Sequence, residues 1–403
     1  MNSSVSSSDA LRIIHVLRAP VGGLFRHVYD LTKEQIALGH HVGLITDSLT
    51  GGTRAEEIFD ELRPHLELGI QRVPMHRLPH PTDLTALRLI AKTVKESAPH
   101  VLHGHGSKGG LYARLSAAVF GKHGPVRAYT PHGGSFNYYP GSPTHRAFML
   151  VENFLERGTD LLSFESAYIA GRFKHFVHEP RTLSRIVWNG ISECEYQPVE
   201  PNADAADFVY IGELRAAKGI DTLLDAMFDL KQRNGHAPSL VLVGAGPDEH
   251  KLAEQAKHLG LAENISFPGI LPAREAFRLG RAMVVPSRAE SLPYVILEAA
   301  GAQIPLLATN VGGVCEIFGP YTHRLIKADD HLVLAEAMDR MMNMDADTKR
   351  EEAQQLADFV ATRFTLRQMV DGVISGYREA MALRNTGSTP VLEHAKSNVL
   401  RNM

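Results

Sequence analysis

Short apolar runs alternate along this chain with longer stretches in which apolar positions recur at helical period. RIIHVLRAP (12–20) reads as a strand, LFRHVYDLTKEQIALGH (24–40) as a helix stopped near a glycine, and HVGLITDS (41–48) as a second strand. QRVPMH, a helical TALRLIAKTVKESA and the strand-like HVLHGHG (100–106) follow. Next come a helix around LYARLSAAVFG, a strand VRAYTPHGG (126–134) and a helix around HRAFMLVENFLERG, and TDLLSFES and RIVWNGIS close this half. The alternation restarts at DFVYIGELRAAKGIDTLLDAM (207–227). It continues through SLVLVGAGPDEHKLAEQAKHLG, ISFPGIL, MVVPSRAE, a helix near LPYVILEAAG, and PLLATNVGG. Strand–helix alternation predicts an α/β fold with a parallel sheet covered on both faces, here twice over.

The pattern divides the chain into an N-terminal domain over 11–188, a linker over 189–206 and a second domain over 207–364. The linker is rich in Pro, Asn and acids. TLRQMVDGVISGYREAMAL anchors one amphipathic C-terminal helix over 365–385, and 1–10 and 386–403 read as flexible polar tails. A length of 403 residues agrees with two hydrophobic cores. Two doubly wound domains bind ligands at the carboxyl ends of their strands, and the expected site is the central cleft between them.

Composition narrows the chemistry mainly by exclusion. Apolar residues make up 44% and charged residues 22%, ordinary values for a globular chain. A net charge of -3 gives no whole-molecule attraction to nucleic acid, so no nucleic-acid partner is expected. Cys194 and Cys315 stand far apart without metal-ligand spacing, which argues against a disulfide or zinc framework and fits a reducing compartment. MNSSVSSSDA has neither a basic nor an apolar signal region, and no apolar run reaches the roughly 20 residues of a membrane span. The expected location is cytoplasmic.

The loops after strands carry the candidate chemistry. VGG (21–23), TPHGG (130–134), GELRAAKG (212–219) and the TNVGG (309–313) that follows PSRAESLPYVILEAAG each place glycine or small residues where a helix begins. Backbone N–H groups and the positive end of a helix dipole suit a phosphate there, although any single loop also reads as plain turn chemistry. A dinucleotide fingerprint is excluded, because VGAGPDEH has Gly244 and Gly246 but Glu249 at the third glycine position, and no P-loop motif occurs. Arg215 and Lys218 lie three apart at an expected helix start, where one face can present both to a diphosphate; a solvated basic turn is the other reading. His132 directly follows a strand and can face the cleft, or be incidental among 21 histidines. His103 and His105 alternate on one strand; without a nearby carboxylate they read as strand-end polar packing rather than metal ligands.

Together these motifs resemble the retaining GT-B glycosyltransferases of glycosyltransferase family 4, the group 1 enzymes, and in particular the bacterial exopolysaccharide type. The most specific element is E-x7-E, from Glu290 to Glu298 in PSRAESLPYVILEAAGAQIPLLATNVGGVCEI. VLRAPVGGLFRHV, NGI, VLVGAGP and ISFPGIL add to it. The resemblance implies two Rossmann-like domains with the C-terminal helix returning toward the first. It implies a nucleotide-sugar donor, UDP first and GDP second, held mainly by the second domain. A glycan or lipid-linked acceptor is held mainly by the first.

By the same resemblance Glu298 takes the ribose hydroxyls, Glu290 the sugar hydroxyls, and Arg215 and Lys218 the diphosphate. Backbone at Gly22, Gly23, Ser291 and Leu292 meets phosphate and sugar, Gly269 and Ile270 meet the base, and His132 lies near the reacting sugar. No cofactor and no metal is implied. Two departures stand out: Glu213 occupies the position where the family often has arginine, and Ser291, Leu292 and Pro293 replace its glycine turn.

Other readings on the same fold are a sugar-nucleotide epimerase or phosphorylase, or a non-catalytic sugar-nucleotide-binding protein. A peripheral membrane contact through LYARLSAAVFGKHG (111–124) and HRAFMLVENFLERG (145–158) is set against their being ordinary core helices.

Overall fold

The computed structural model describes residues 9–387, so most of both expected tails, 1–8 and 388–403, lies outside the described residues. The chain forms two compact units. Among the described residues the first holds 9–165, Ala170–Val187 and 370–387; the second holds Ser166–Ile169 and Trp188–Met369.

Seven parallel strands build the first unit: β1 Arg12–Leu17, β2 His41–Asp47, β3 Ile70–Val73, β4 Val101–His105, β5 Val126–Thr130, β6 Leu161–Phe164 and β7 Leu183–Ile186. Their order is β3-β2-β1-β4-β5-β6-β7. β4 is buried at all five positions, as expected of a central strand covered on both faces. In the second unit the strands are β8 Ala206–Ile211, β9 Leu240–Val243, β10 Ile265–Gly269, β11 Gly280–Val285 and β12 Leu306–Ala308, in the order β10-β9-β8-β11-β12. Alternate residues serve its two cores. Val209, Met283 and Val285 pack on one face, and Phe208, Tyr210 and Val284 on the other. Full burial of such a side chain contributes roughly 1.5–3 kcal/mol.

Strand order reverses between β1 and β4 in the first unit and between β8 and β11 in the second. At such a switch point the two outgoing loops part to opposite faces and leave a crevice at the carboxyl ends of the strands. Residues that follow these four strands are therefore the ones to inspect.

Some elements differ from the sequence expectation. The strand expected over 126–134 stops at Thr130, and His132 then turns the chain at φ 52°. Within residues 189–206, Ile191 and Val199 are buried in the second unit's core, and Ser192 and Glu195 close a capping box on the turn Glu193–Tyr196. The helix Gly106–Ala118, which contains LYARLSAA, buries Tyr112, Ala113 and Ala117 and is a core helix.

The helix Pro143–Glu156 is two-sided. Ser142 caps it, with Pro143 at its first position. Met149 and Leu155 face inward, while Leu150, Val151 and Phe154 are exposed. The C-terminal helix Leu366–Thr386 puts Tyr377 in the first unit's interior, and Arg384 donates to the Lys122 carbonyl at 2.7 Å. Among the described residues no helix is long and apolar enough to cross a membrane.

Candidate active site

In the second unit the loop after β8, Gly212–Gly219, precedes the helix Ile220–Asn234, and the loop after β11 carries PSRAESLP. Lys218 comes from the first loop and Glu290 from the second. The Lys218 ammonium donates to Glu290 Oε1 at 2.6 Å, and the Ser287 hydroxyl donates to the same oxygen at 2.7 Å. Glu290 is only 8% exposed, so its charge needs these two donors. Tyr210, buried beneath, has its phenol pushed well up by burial and then by the Glu290 charge, which keeps it neutral.

Sequence reasoning missed the residue that ties the two loops together. Arg288 makes a bidentate pair with Asp221 (2.7 and 3.0 Å), reaches Asp329 (2.7 Å) and donates to the Ala216 carbonyl (2.5 Å). Its backbone N–H donates to the Ala217 carbonyl at 2.9 Å. The Asp221 hydrogen bonds raise the guanidinium further. Burial pushes the Asp221 carboxyl up, but the bonds from Arg288 outweigh it and hold the group low. Arg288 and Ser287 lay in plain view two and three residues before Glu290; no motif singled them out.

Two glycines allow the loops to approach this closely. A Cβ on Gly219 (φ +67°) would stand 2.1 Å from the Pro286 carbonyl oxygen, and one on Gly312 (φ +59°) 1.9 Å from that of Glu290. TNVGG thus lies directly on the Glu290 backbone, and the Gly313 N–H donates to the Ser291 carbonyl at 2.8 Å. A second missed residue, Asn189 of the NGI segment, donates to the Leu292 carbonyl at 2.8 Å, while the Leu292 side chain is buried in the core.

Arg215 and Lys218 do not share a helical face. Arg215 has extended backbone at the start of a single tight turn, Ala216–Lys218, and the helix begins only after Gly219. Lys218 points to Glu290, whereas Arg215 pairs with Glu213 at 2.9 Å in a half-exposed contact. Exposed pairs of this kind contribute about 0–1 kcal/mol, so Arg215 can change partner.

SLPYVIL is likewise only partly helical. The helix is Tyr294–Gly301, with Pro293 at its N-cap position, so Glu290 and Ser291 precede the helix while the half-buried Glu298 lies within it. Gly269 ends β10 at φ +81° on the same carboxyl edge, followed by the exposed Ile270.

In the first unit Gly22 and Gly23 open the helix Gly22–Ala37 directly after β1, and both are exposed. Beside them the switch point holds a cluster of imidazoles. His15 of β1 stands opposite His103 of β4 in the strand register. His105 Nε2 lies 2.9 Å from His15 Nδ1, and His105 Nδ1 lies 3.0 Å from His132 Nε2. The His27 ring meets the His132 ring edge-on at 4.7 Å. His103 lies between the Tyr377 hydroxyl (2.6 Å) and the Thr130 hydroxyl (2.8 Å). The His132 backbone N–H donates to the buried Glu165 carboxylate at 3.2 Å.

Burial drives four of these rings, His15, His103, His105 and His132, toward the neutral form. His15 is lowered from 6.5 to about 4, and His103, His105 and His132 well below the usual value, with neighbouring imidazoles adding to the effect. Ring nitrogens of His15, His103 and His105, and of His27, His105 and His132, come within 4.8 Å of one another. The expected side-by-side placement of His103 and His105 holds, with ring centroids 4.0 Å apart. What the sequence did not reveal is that the completing residues are other histidines, not carboxylates. The count of 21 histidines hid them.

A paired ammonium and carboxylate thus stands among glycine loops at a parallel-sheet switch point, the place where such sheets bind ligands. Residues 21–193 match the family model Glycosyltransferase Family 4, and residues 195–358 match Glycosyl transferases group 1. The chain belongs to the group 1 glycosyltransferases of family 4 and has their GT-B architecture.

It is 28% identical over 330 residues to a Bacillus subtilis protein named as the glycosyltransferase EpsD, covering 76% of this chain and 84% of that one. To the same organism's TuaC, named for teichuronic acid biosynthesis, it is 29% identical over 278 residues, covering 68% of this chain and 63% of that one. The fold matches that of Anabaena HepE, solved with UDP-glucose, at a TM-score of 0.74. There the identity is 16%, with 92% of this chain and 100% of that one covered.

Proposed function

We propose that this protein is a retaining glycosyltransferase that moves a sugar from a nucleoside diphosphate sugar to a glycan or lipid-linked acceptor in cell-surface polysaccharide synthesis. The observation that carries the reading is the Lys218–Glu290–Ser287 cluster, built where the loops after β8 and β11 meet. Glu290 accepts the donor sugar's hydroxyls, and Glu298 the ribose hydroxyls. Lys218, joined by Arg215 once it leaves Glu213, meets the charge that grows on the departing diphosphate; cations fixed at that charge lower the barrier by a few kcal/mol.

Backbone at Gly22, Gly23 and Ser291 and the N–H of Leu292 add donors, since the Leu292 carbonyl is held by Asn189. Gly269 and Ile270 flank the base. Neither a metal nor a catalytic nucleophile is needed in this scheme, because the leaving phosphate itself takes the acceptor's proton. The first unit takes the acceptor, with His132 beside a sugar hydroxyl.

UDP is the first choice of nucleotide and GDP the second; HepE, solved with UDP-glucose on the same fold, supports the order. Thermal unfolding with UDP, GDP and ADP tests it. A bound nucleotide at 100 times its Kd stabilises by about 2.7 kcal/mol. No shift with any of the three would contradict the reading.

The acceptor side includes a lipid surface. Leu150, Val151 and Phe154 form one exposed apolar stripe on Pro143–Glu156, flanked by the exposed Arg146 and Arg157. An apolar stripe edged by arginines suits an anionic bilayer. Co-sedimentation with phosphatidylglycerol vesicles tests it, and Phe154→Ser should reduce the bound fraction.

A further inference from the structure

The imidazoles of the first unit form a directional chain. Gln35 Oε1 faces His15 Nε2 at 2.8 Å, His15 Nδ1 faces His105 Nε2 at 2.9 Å, and His105 Nδ1 faces His132 Nε2 at 3.0 Å. His15, Gln35 and His105 are buried, and each histidine is neutral at pH 7 because burial outweighs every other influence. A neutral imidazole carries one N–H and one lone pair. An amide oxygen only accepts, so His15 must carry its proton on Nε2. Its Nδ1 is then a lone pair that requires a proton on His105 Nε2. By the same step His105 Nδ1 accepts, and His132 must carry its proton on Nε2. The buried Gln35 nitrogen has no hydrogen-bond partner among the described residues, and the one hydrogen bond of this side chain is the one its oxygen accepts from His15.

We propose that Gln35, His15 and His105 are positioning residues that fix His132 as the Nε2–H tautomer, leaving its Nδ1 as an uncharged acceptor for a sugar hydroxyl. The tautomer follows from the hydrogen-bond chain alone, and the sugar hydroxyl rests on the glycosyltransferase reading. Five imidazoles gathered at one switch point cannot share added protons cheaply, so the neutral chain also keeps His132 from becoming a cation. Its function is to present a hydrogen-bond acceptor of fixed polarity at the end of β5, where the positive φ of His132 lifts the ring off the strand path.

Nitrogen-15 NMR of histidine-labelled full-length protein reads each tautomer directly. The expected result at pH 7 is protonated-type Nε2 and bare-type Nδ1 signals for His15, His105 and His132. The opposite tautomer at His132, or doubly protonated rings, would overturn the proposal. So would a stoichiometric shift of the His105 and His132 signals on adding zinc, which would make the cluster a metal site.

Gln35→Leu removes the acceptor that starts the chain, and Gln35→Glu keeps it. Gln35→Leu should mix the His132 tautomers and lower kcat about 10- to 100-fold, the size of loss found when the hydrogen-bond partner behind a metal-bound histidine is removed; Gln35→Glu should restore the tautomer and most of the rate. If acceptor-free donor hydrolysis falls equally, the hydroxyl is the donor's. If instead the acceptor KM rises, it is the acceptor's. A Gln35→Leu protein with mixed tautomers and unchanged kcat and KM would overturn the functional half. The NMR result stands whether or not transfer is detected, so failure of the chain and failure of the glycosyltransferase reading remain distinct.

Discussion

Acid should loosen the first unit by a predictable amount. His15 is fully buried and its folded-state value lies at about 4, against 6.5 when exposed. The folded value is the lower one, so between the two the unfolded chain binds the extra proton and acidification favours it. The contribution is complete above about pH 6.5, shrinks as pH falls, and stops changing near pH 4. Integrated from pH 7.5 to pH 5, His15 alone withdraws about 2 kcal/mol, or roughly 25-fold in the opening equilibrium. His103, His105 and His132 act in the same direction.

Tryptophan fluorescence would miss this change, since the single tryptophan, Trp188, lies in the second unit. Hydrogen exchange of peptides spanning β1 and β4, corrected for the intrinsic pH dependence of exchange, reports it. Wild-type protection of β1 should fall from pH 7.5 to pH 5 by about 25-fold more than that of His15→Asn, which has lost the titrating ring. Equal falls in the two proteins, or none in either, would show that His15 is not held neutral and would refute the argument from burial.

Other perturbations separate the parts of the second unit. Gly312→Ala forces a Cβ against the Glu290 carbonyl at positive φ and should cost about 1–3 kcal/mol, read by denaturant unfolding through Trp188. Asn189→Ala leaves the Leu292 carbonyl without its donor and should cost about 1–3 kcal/mol in the same assay, with weaker nucleotide binding. Arg288→Ala unties the two loops and should raise the nucleotide Kd by tenfold or more while the fold persists, measured by calorimetry; an unchanged Kd would remove Arg288 from the account.

How much of this could be read from the sequence depended on whether the signal was local. Strand–helix alternation is local, and it predicted two parallel sheets, although the strand order had to come from the structure. Glu290, Glu298, Lys218 and the glycine loops could be singled out as candidates because their spacing along the chain is itself the motif, and the structure brings Lys218 and Glu290 together. Arg215 and Lys218 were misjudged as sharing one helix face because Gly219 interrupts the turn before the helix starts. The histidine chain was out of reach, since Gln35, His15, His105 and His132 come from four elements and meet only through the register of β1 on β4 and the turn after β5. Arg288 was hidden for a similar reason: Asp221 and Asp329, which fix it, lie far along the chain.

The central claim is tested most directly by following radiolabelled sugar from UDP- and GDP-sugars in the presence of polysaccharide-type acceptors. Wild-type protein is compared with Lys218→Met and Glu298→Ala. The account predicts transfer with one of the two donors, a fall of about 100-fold in kcat for Lys218→Met from lost leaving-group stabilisation, and a raised donor KM for Glu298→Ala. Transfer at the wild-type rate by both variants would contradict it.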